Sequence, residues 1–158
     1  MVGDALARVA TSGFPTTTYQ IELDSSAGDD GTAVVYSGTV VALGAYMPLR
    51  SFTTWNGHWA LEVDDNLIID GQDIGQVLGH DAVFGFTRLR EQSFYFFEQA
   101  GQVHILYGDQ LLPNAYDAVF HNQCCEASIH NVEAGPDAVW FHALRDGTWY
   151  FVEASLDE

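Results

Sequence analysis

An antiparallel all-β fold with one short N-terminal helix is what the sequence predicts, and three observations carry it. Apolar and polar residues alternate at a period near two through most of the chain, the pattern of half-buried strands. The gaps between those runs are short and hold glycine, asparagine or aspartate, the residues of tight turns. Short motifs also recur at a fixed spacing, as when one supersecondary unit is used more than once. A meander of about ten strands is expected, closed as a small barrel or stacked as a propeller-like repeat.

The elements follow in order. Residues 1–15, "MVGDALARVATSGFP", set Leu6, Val9 and Ala10 on one side and stop at Gly13 to Pro15, so a short amphipathic helix is expected there. From "TTTYQIELDSS" onward the period becomes two, with Tyr19, Ile21 and Leu23 on one face. "AGDDG" at residues 27–31 is a turn cluster before "TAVVYSGTVVALGAYM". That valine-rich stretch is broken by Gly38 and Gly44 and reads as two strands or one bent interior strand. "HWALEV", "NLIID", "AVFGFTRL", "SFYFFE", "QVHILY", "YDAVFH", "AVWFHAL" and "TWYFVEA" complete the set.

Several of these strings echo one another. "DAVF" stands at residues 81–84 and again at 117–120, an interval of 36, and "WALE" (Trp59 to Glu62) lies at the same interval from "YFFE" (Tyr95 to Glu98). "NLIIDGQDI" and "VHILYGDQL" correspond with a one-residue slip. "LRDGTWYFVE" at 144–153 echoes "LREQSFYFFE" at 89–98 after a longer interval of 55. An imperfect repeat of about 36 residues is therefore expected over 58–153, with an insertion near 121–138. One unit of this kind cannot bury its apolar face alone, so successive units must stack within a single domain spanning residues 1–158.

At "GQVHILYGDQLLPNAYDAVFHN" the chain resembles WG-type β-repeats of bacterial proteins, in which a glycine-led strand runs into a proline and a "YD" pair. The resemblance covers residues 55–153; the tryptophan-glycine pair that names those repeats is absent, and "WNGHW" is its distant echo. "SFTTWNGHWALEV", "NLIIDGQDI", "FYFF", "YDAVFHNQCCE" and "VWFHALRDGTWYFVE" together resemble an uncharacterised domain of exported bacterial proteins with a twin-cysteine motif. The resemblance implies an exported β-domain and supplies no catalytic residues.

Charge narrows the function classes. Twenty-two acidic residues against five arginines and no lysine give a net charge of −17. Nucleic-acid binding rests on cations that displace counterions from phosphates, so a direct nucleic-acid partner is not expected. Anionic membrane surfaces repel the chain for the same reason. No run of 18 apolar residues is present to span a membrane, and the first residues lack the basic and apolar regions of a signal peptide. An extracellular or cell-surface location is expected, with the cytoplasm left open.

Three groups of residues are candidates for chemistry. "HNQCCEASIH" places Cys124 and Cys125 side by side between His121 and His130. Adjacent Cα atoms lie about 3.8 Å apart, short of the roughly 4.4–6.8 Å that ordinary disulfides span, so reduced thiols, a strained vicinal disulfide and a zinc site all stay open. Calcium candidates are Asp24, Asp29 and Asp30, although aspartate at turns is also ordinary turn chemistry. Trp55, Trp59, Tyr95, Tyr107 and Tyr116 are the ligand-binding candidates, because an outward ring can stack on a sugar or anchor a protein. Trp55 and Trp59, flanking the "NGH" turn, are the foremost of these.

No nucleophile elbow, zinc-protease helix, P-loop or dinucleotide fingerprint is present. The expected function is therefore non-catalytic: an exported or surface-located binding or assembly module that contacts glycan or protein through exposed aromatic strands, needs no cofactor, and self-associates through open sheet edges. The alternatives are an acidic DNA-mimic inhibitor of a basic nucleic-acid-binding enzyme, and a metal-dependent protein using the cysteine and histidine insert.

Overall fold

Turn residues with positive φ set the architecture. Asn56–Gly57, Asp70–Gly71, Ala100–Gly101 and Asp146–Gly147 each place two consecutive residues in the left-handed region. That is the geometry of two-residue type I′ turns, whose twist matches antiparallel strands. The structure is a computed structural model and describes residues 7–12, 16–24, 32–41, 49–121 and 132–155. The chain is antiparallel all-β with one short helix. It divides into two compact units, Met1–Asp73 and Ile74–Glu158.

In the first unit β1 (Ala7–Ser12), β2 (Thr16–Asp24) and β3 (Thr32–Val41) form a three-stranded meander. β4 (Leu49–Trp55), β5 (His58–Val63), β6 (Asn66–Ile69) and β7 (Gln72–Asp73) form a four-stranded one in chain order. Trp59, Leu61, Val63 and Ile68 make its core, with Tyr36, Leu49 and Phe52 packed against them.

The N-terminal helix expected over residues 1–15 is not found where that stretch is described: Ala7–Ser12 is a strand, fully paired with β2 in a register that sets Val9 opposite Ile21. Six residues gain little from barely two helical turns, whereas β-branched Val9 and Thr11 suit a ladder. The helix of the fold is instead α1 (Ile74–Leu78), at the start of the second unit. It is far too short to cross a membrane, and no other helix among the described residues is long and apolar enough to do so.

After α1, β8 (Ala82–Leu89), β9 (Gln92–Gln99), β10 (Gln102–Tyr107) and β11 (Gln110–Leu111) repeat the four-strand chain-order meander. The echoing "WALE" and "YFFE" strings fall on β5 and β9, the second strand of each sheet. A last sheet is built around β14 (Ala138–Arg145). It pairs with β12 (Ala118–Val119) and β13 (Glu133–Ala134), and with β15 (Thr148–Ser155) along its whole length. Phe84, Leu89, Phe94, Phe96, Val103, Ile105, Tyr116, Val139 and Phe141 interlock as the core of this unit. Phe141 meets the Phe96 ring edge-on at 4.9 Å and the Tyr116 ring at 5.6 Å, the T-shaped geometry that aromatic quadrupoles favour.

Fifteen strands are thus present among the described residues, in four sheets of which none closes on itself, so neither the ten-strand count nor a closed barrel is found.

Candidate functional site

The β14–β15 hairpin is held by its turn and by one aspartate. Asp146 and Gly147 take φ of 51° and 72°. The Asp146 amide donates to the Asp117 carboxylate at 2.7 Å, and the Asp117 amide donates to the Leu144 carbonyl at 2.8 Å. Strand alternation then sorts the side chains. Val139, Phe141 and Ala143 of β14 enter the core, and Val152 and Ala154 of β15 pack against it.

The other face carries Trp140, His142 and Leu144 opposite Glu153, Phe151 and Trp149. Trp149 is 48% exposed and Phe151 66%. Phe120, itself exposed, lies 4.8 Å from Trp149 between ring centroids, and His142 lies 5.0 Å from Phe151. Trp140 donates its indole N–H to Glu153 Oε2 at 2.8 Å, which orients both side chains. The Trp140 ring also covers Gly135, where an added Cβ would stand 2.9 Å from it. This face is therefore a row of outward rings bordered by hydrogen-bonding groups. An open cleft of about 540 Å³ adjoins it, lined by Asn114, Tyr116, Arg145, Asp146, Tyr150 and Glu153 among others. Burial pushes the Tyr116 phenol above its ordinary range, against the pull of the Arg145 guanidinium.

Why these rings face outward is written in the position of the turn. "LREQSFYFFE" forms the β8–β9 hairpin and "LRDGTWYFVE" the β14–β15 hairpin. In the first, the loop is Arg90–Glu91; in the second it is Asp146–Gly147, one residue later relative to the shared string. Counted from the turn, the third and fifth residues of both strands share one side of the sheet: Phe94 and Phe96 in β9, both in the core, and in β15 Val152, which packs on the core, with Tyr150, which is exposed at the cleft. The shift by one residue exchanges the faces. Trp149 and Phe151, the counterparts of Phe94 and Phe96, are thereby turned outward. A second offset lies upstream. "DAV" recurs at 81–83 and 137–139, an interval of 56, against 55 for the "LR" pairs. The additional residue of β8 falls in the register irregularity between Phe84 and Thr87, where Gly85 takes φ of 64°.

The five aromatic candidates fare differently. Trp59, Tyr95 and Tyr116 are buried, which corrects the expectation that Trp59 is exposed; its ring meets Tyr36 at 5.6 Å inside the first unit. Tyr107 is half-buried against the second core and donates its hydroxyl to the Leu89 carbonyl at 3.3 Å. Trp55 is half-buried and stacks on His58 at 5.7 Å. His58 Nδ1 in turn donates to Asp70 Oδ2 at 2.7 Å, and Asp70 Oδ1 accepts from the Trp59 amide. Only Tyr116 of the five reaches the cleft. The platform residues Phe120, Trp140, His142, Trp149 and Phe151 were outside that set, although the "DG" turn signal that exposes two of them is visible in the sequence.

Of the metal candidates, His121 has its ring stacked on Phe84 and its Nδ1 donating to the Val119 carbonyl at 2.9 Å. Cys124, Cys125, His130, Asp29 and Asp30 lie outside the described residues, and Asp24 ends β2. Among the described residues no group of three or more histidine, cysteine, aspartate or glutamate side chains is placed to hold a metal ion.

Comparison with protein-family models, with curated proteins and with solved structures finds no match to this chain.

Proposed function

We propose that the protein is a non-catalytic, exported or surface-located module that binds glycan on the outward face of the β14–β15 hairpin. The observation that carries this reading is the row of Trp149, Phe151 and Phe120, large rings left in water on a sheet face whose sequence counterpart is core. A flat array of rings suits the apolar faces of sugar rings. Glu153, bonded to Trp140 on this face, and Asn114, Arg145 and Asp146 in the adjoining cleft supply the acceptors and donors that hydroxyl groups need. A long open surface of this type accommodates a polymer better than a small enclosed ligand. The resemblance to a twin-cysteine domain of exported proteins supports the location.

The test is mobility in native gels containing neutral β-glucan, mannan or galactan. Retardation by at least one of them is expected to persist at about 0.5 M NaCl, since stacking is not screened as ion pairing is. It is expected to weaken at least about tenfold in Trp149→Ala, a loss typical of a central aromatic contact. No retardation by any of the three, or retardation unchanged in Trp149→Ala and Phe151→Ala, overturns the reading. Salt-labile binding to a basic DNA-binding protein would instead favour the acidic-inhibitor alternative.

A further inference from the structure

The edge of β15 carries a second message, separate from its face. In the β8–β11 sheet the strand that β15 echoes, β9, is paired on both sides, by β8 and by β10. Among the described residues β15 is paired on one side only, by β14. Among the described residues its other edge therefore presents the backbone donors and acceptors of every second residue along "TWYFVEAS". Natural edge strands of this length are usually blunted by lysine, proline or a bulge. β15 has no lysine and no proline, and its register with β14 runs without a shift. Its aromatic and β-branched content is that of an interior strand.

From this we infer that β15 pairs edge to edge with β15 of a second copy, antiparallel, about a two-fold axis at Phe151. The molecule itself supplies the argument for a strand as occupant, because the equivalent edge of β9 is filled by the strand β10. A second copy is the occupant because β15 is self-complementary in one register. With Phe151 opposite the partner's Phe151, Trp149 faces the partner's Glu153 and Tyr150 faces the partner's Val152. The two glutamates stay apart, as like charges opposite one another are unfavourable. Only registers that set a residue opposite itself or at an even offset keep both core faces on one side of the joined sheet. The two ring platforms then become one continuous surface, so a polymer spanning both gains by avidity. The inference does not depend on the ligand. The edge uses backbone groups, and a strictly monomeric protein that binds glycan would overturn this inference while leaving the proposed function intact.

Each copy carries a net charge of −17, so repulsion opposes association and salt relieves it. Sedimentation equilibrium of the full chain is expected to show a monomer–dimer equilibrium that tightens by about tenfold or more between about 0.05 and about 1 M NaCl. Phe151→Lys is expected to weaken the dimer at least about tenfold by setting two cations opposite each other, with circular dichroism unchanged because Phe151 is exposed. Leu111→Lys and Val77→Lys, equal charge changes at exposed residues of β11 and α1, are expected to leave it intact. A monomer at every concentration and salt, or a dimer broken by Leu111→Lys and not by Phe151→Lys, overturns the inference.

Discussion

Phe94, Tyr95 and Phe96 of β9 are 1%, 5% and 0% exposed, whereas their counterparts Trp149, Tyr150 and Phe151 of β15 are 48%, 47% and 66% exposed. The two strings have nearly the same hydrophobicity, so composition does not separate them. What differs is the neighbourhood. β9 lies between two strands, and its second face is covered as well, with the His80 ring 3.9 Å from Phe97. Among the described residues β15 has one partner strand, and its turn places Trp149 and Phe151 on the side away from the core. Burial here is decided by strand position and turn phase, two properties that a hydrophobic pattern read one strand at a time does not contain.

Truncation of matched rings is expected to separate the two strands most widely. Phe96 packs against Phe84, Phe94 and Phe141, and Phe96→Ala is expected to cost about 3–5 kcal/mol, the range for emptying a ring-sized core site. Phe151→Ala is expected to change stability by less than about 0.5 kcal/mol, as surface substitutions do. Urea unfolding of both variants measures the difference. Similar costs would mean that β15 is covered in solution, which is also what edge pairing or a bound ligand would produce in a concentrated or loaded sample.

The turns of the two hairpins differ by smaller energies. Gly147 takes φ of 72° with open space around its missing side chain, so Gly147→Ala is expected to cost about 1 kcal/mol through backbone strain alone. At the corresponding place in the other turn, Glu91 takes φ of 68° despite its side chain. It is compensated by Arg88, which contacts its carbonyl and lies 3.0 Å from its carboxylate. Glu91→Gly relieves that strain and loses an exposed ion pair worth little, so a gain of under about 1 kcal/mol is expected. Thermal unfolding of the two variants, measured side by side, reads both signs. A loss in both would show that the Arg88 contact, not backbone strain, governs the β8–β9 turn.

Much of the fold was legible because alternation and turn dipeptides are local. Strands from "HWALEV" to "TWYFVEA" lie where the period of two puts them, except that "YDAVFH" is a strand only at Ala118–Val119, and the "NG", "DG" and "AG" pairs sit at their turns. Trp59 stands beside the Asn56–Gly57 turn, and adjacency to a turn suggests exposure. Yet it is the second residue after Asn56–Gly57, in phase with Leu61 and Val63, and that phase carries it into the core. The N-terminal stretch was misread because Val9 and Ala10 fit helix and strand alike, and pairing with β2 decides between them. The platform was missed for a third reason. Its exposure follows from a one-residue displacement of a turn between two related strings, which shows only when the two hairpins are laid over each other.

The least of the expected effects concerns what covers the second face of β9. His80 follows α1, with its ring stacked on Phe97 and its Nδ1 buried without a hydrogen-bond partner among the described residues. Burial lowers its pKa below 6.5, the nearby His104 lowers it further, and Asp81 opposes both. The neutral ring is thus the one the fold prefers. Well above pH 6.5 both folded and unfolded chains hold it neutral and it contributes no pH dependence. As the pH falls below 6.5 the unfolded chain takes up the proton first, so folding loses stability until the folded value is passed. His80→Phe keeps a ring on Phe97 and removes the proton. Urea midpoints of wild type and variant, taken at about pH 7.5 and about pH 5, are therefore expected to diverge at the lower pH, with the variant the more stable. Subtracting the variant removes the response of the many carboxylates, which both proteins share. An equal difference at both values would place the His80 ring in water, and would leave Phe97 as open on its outer side as Phe151 is on β15.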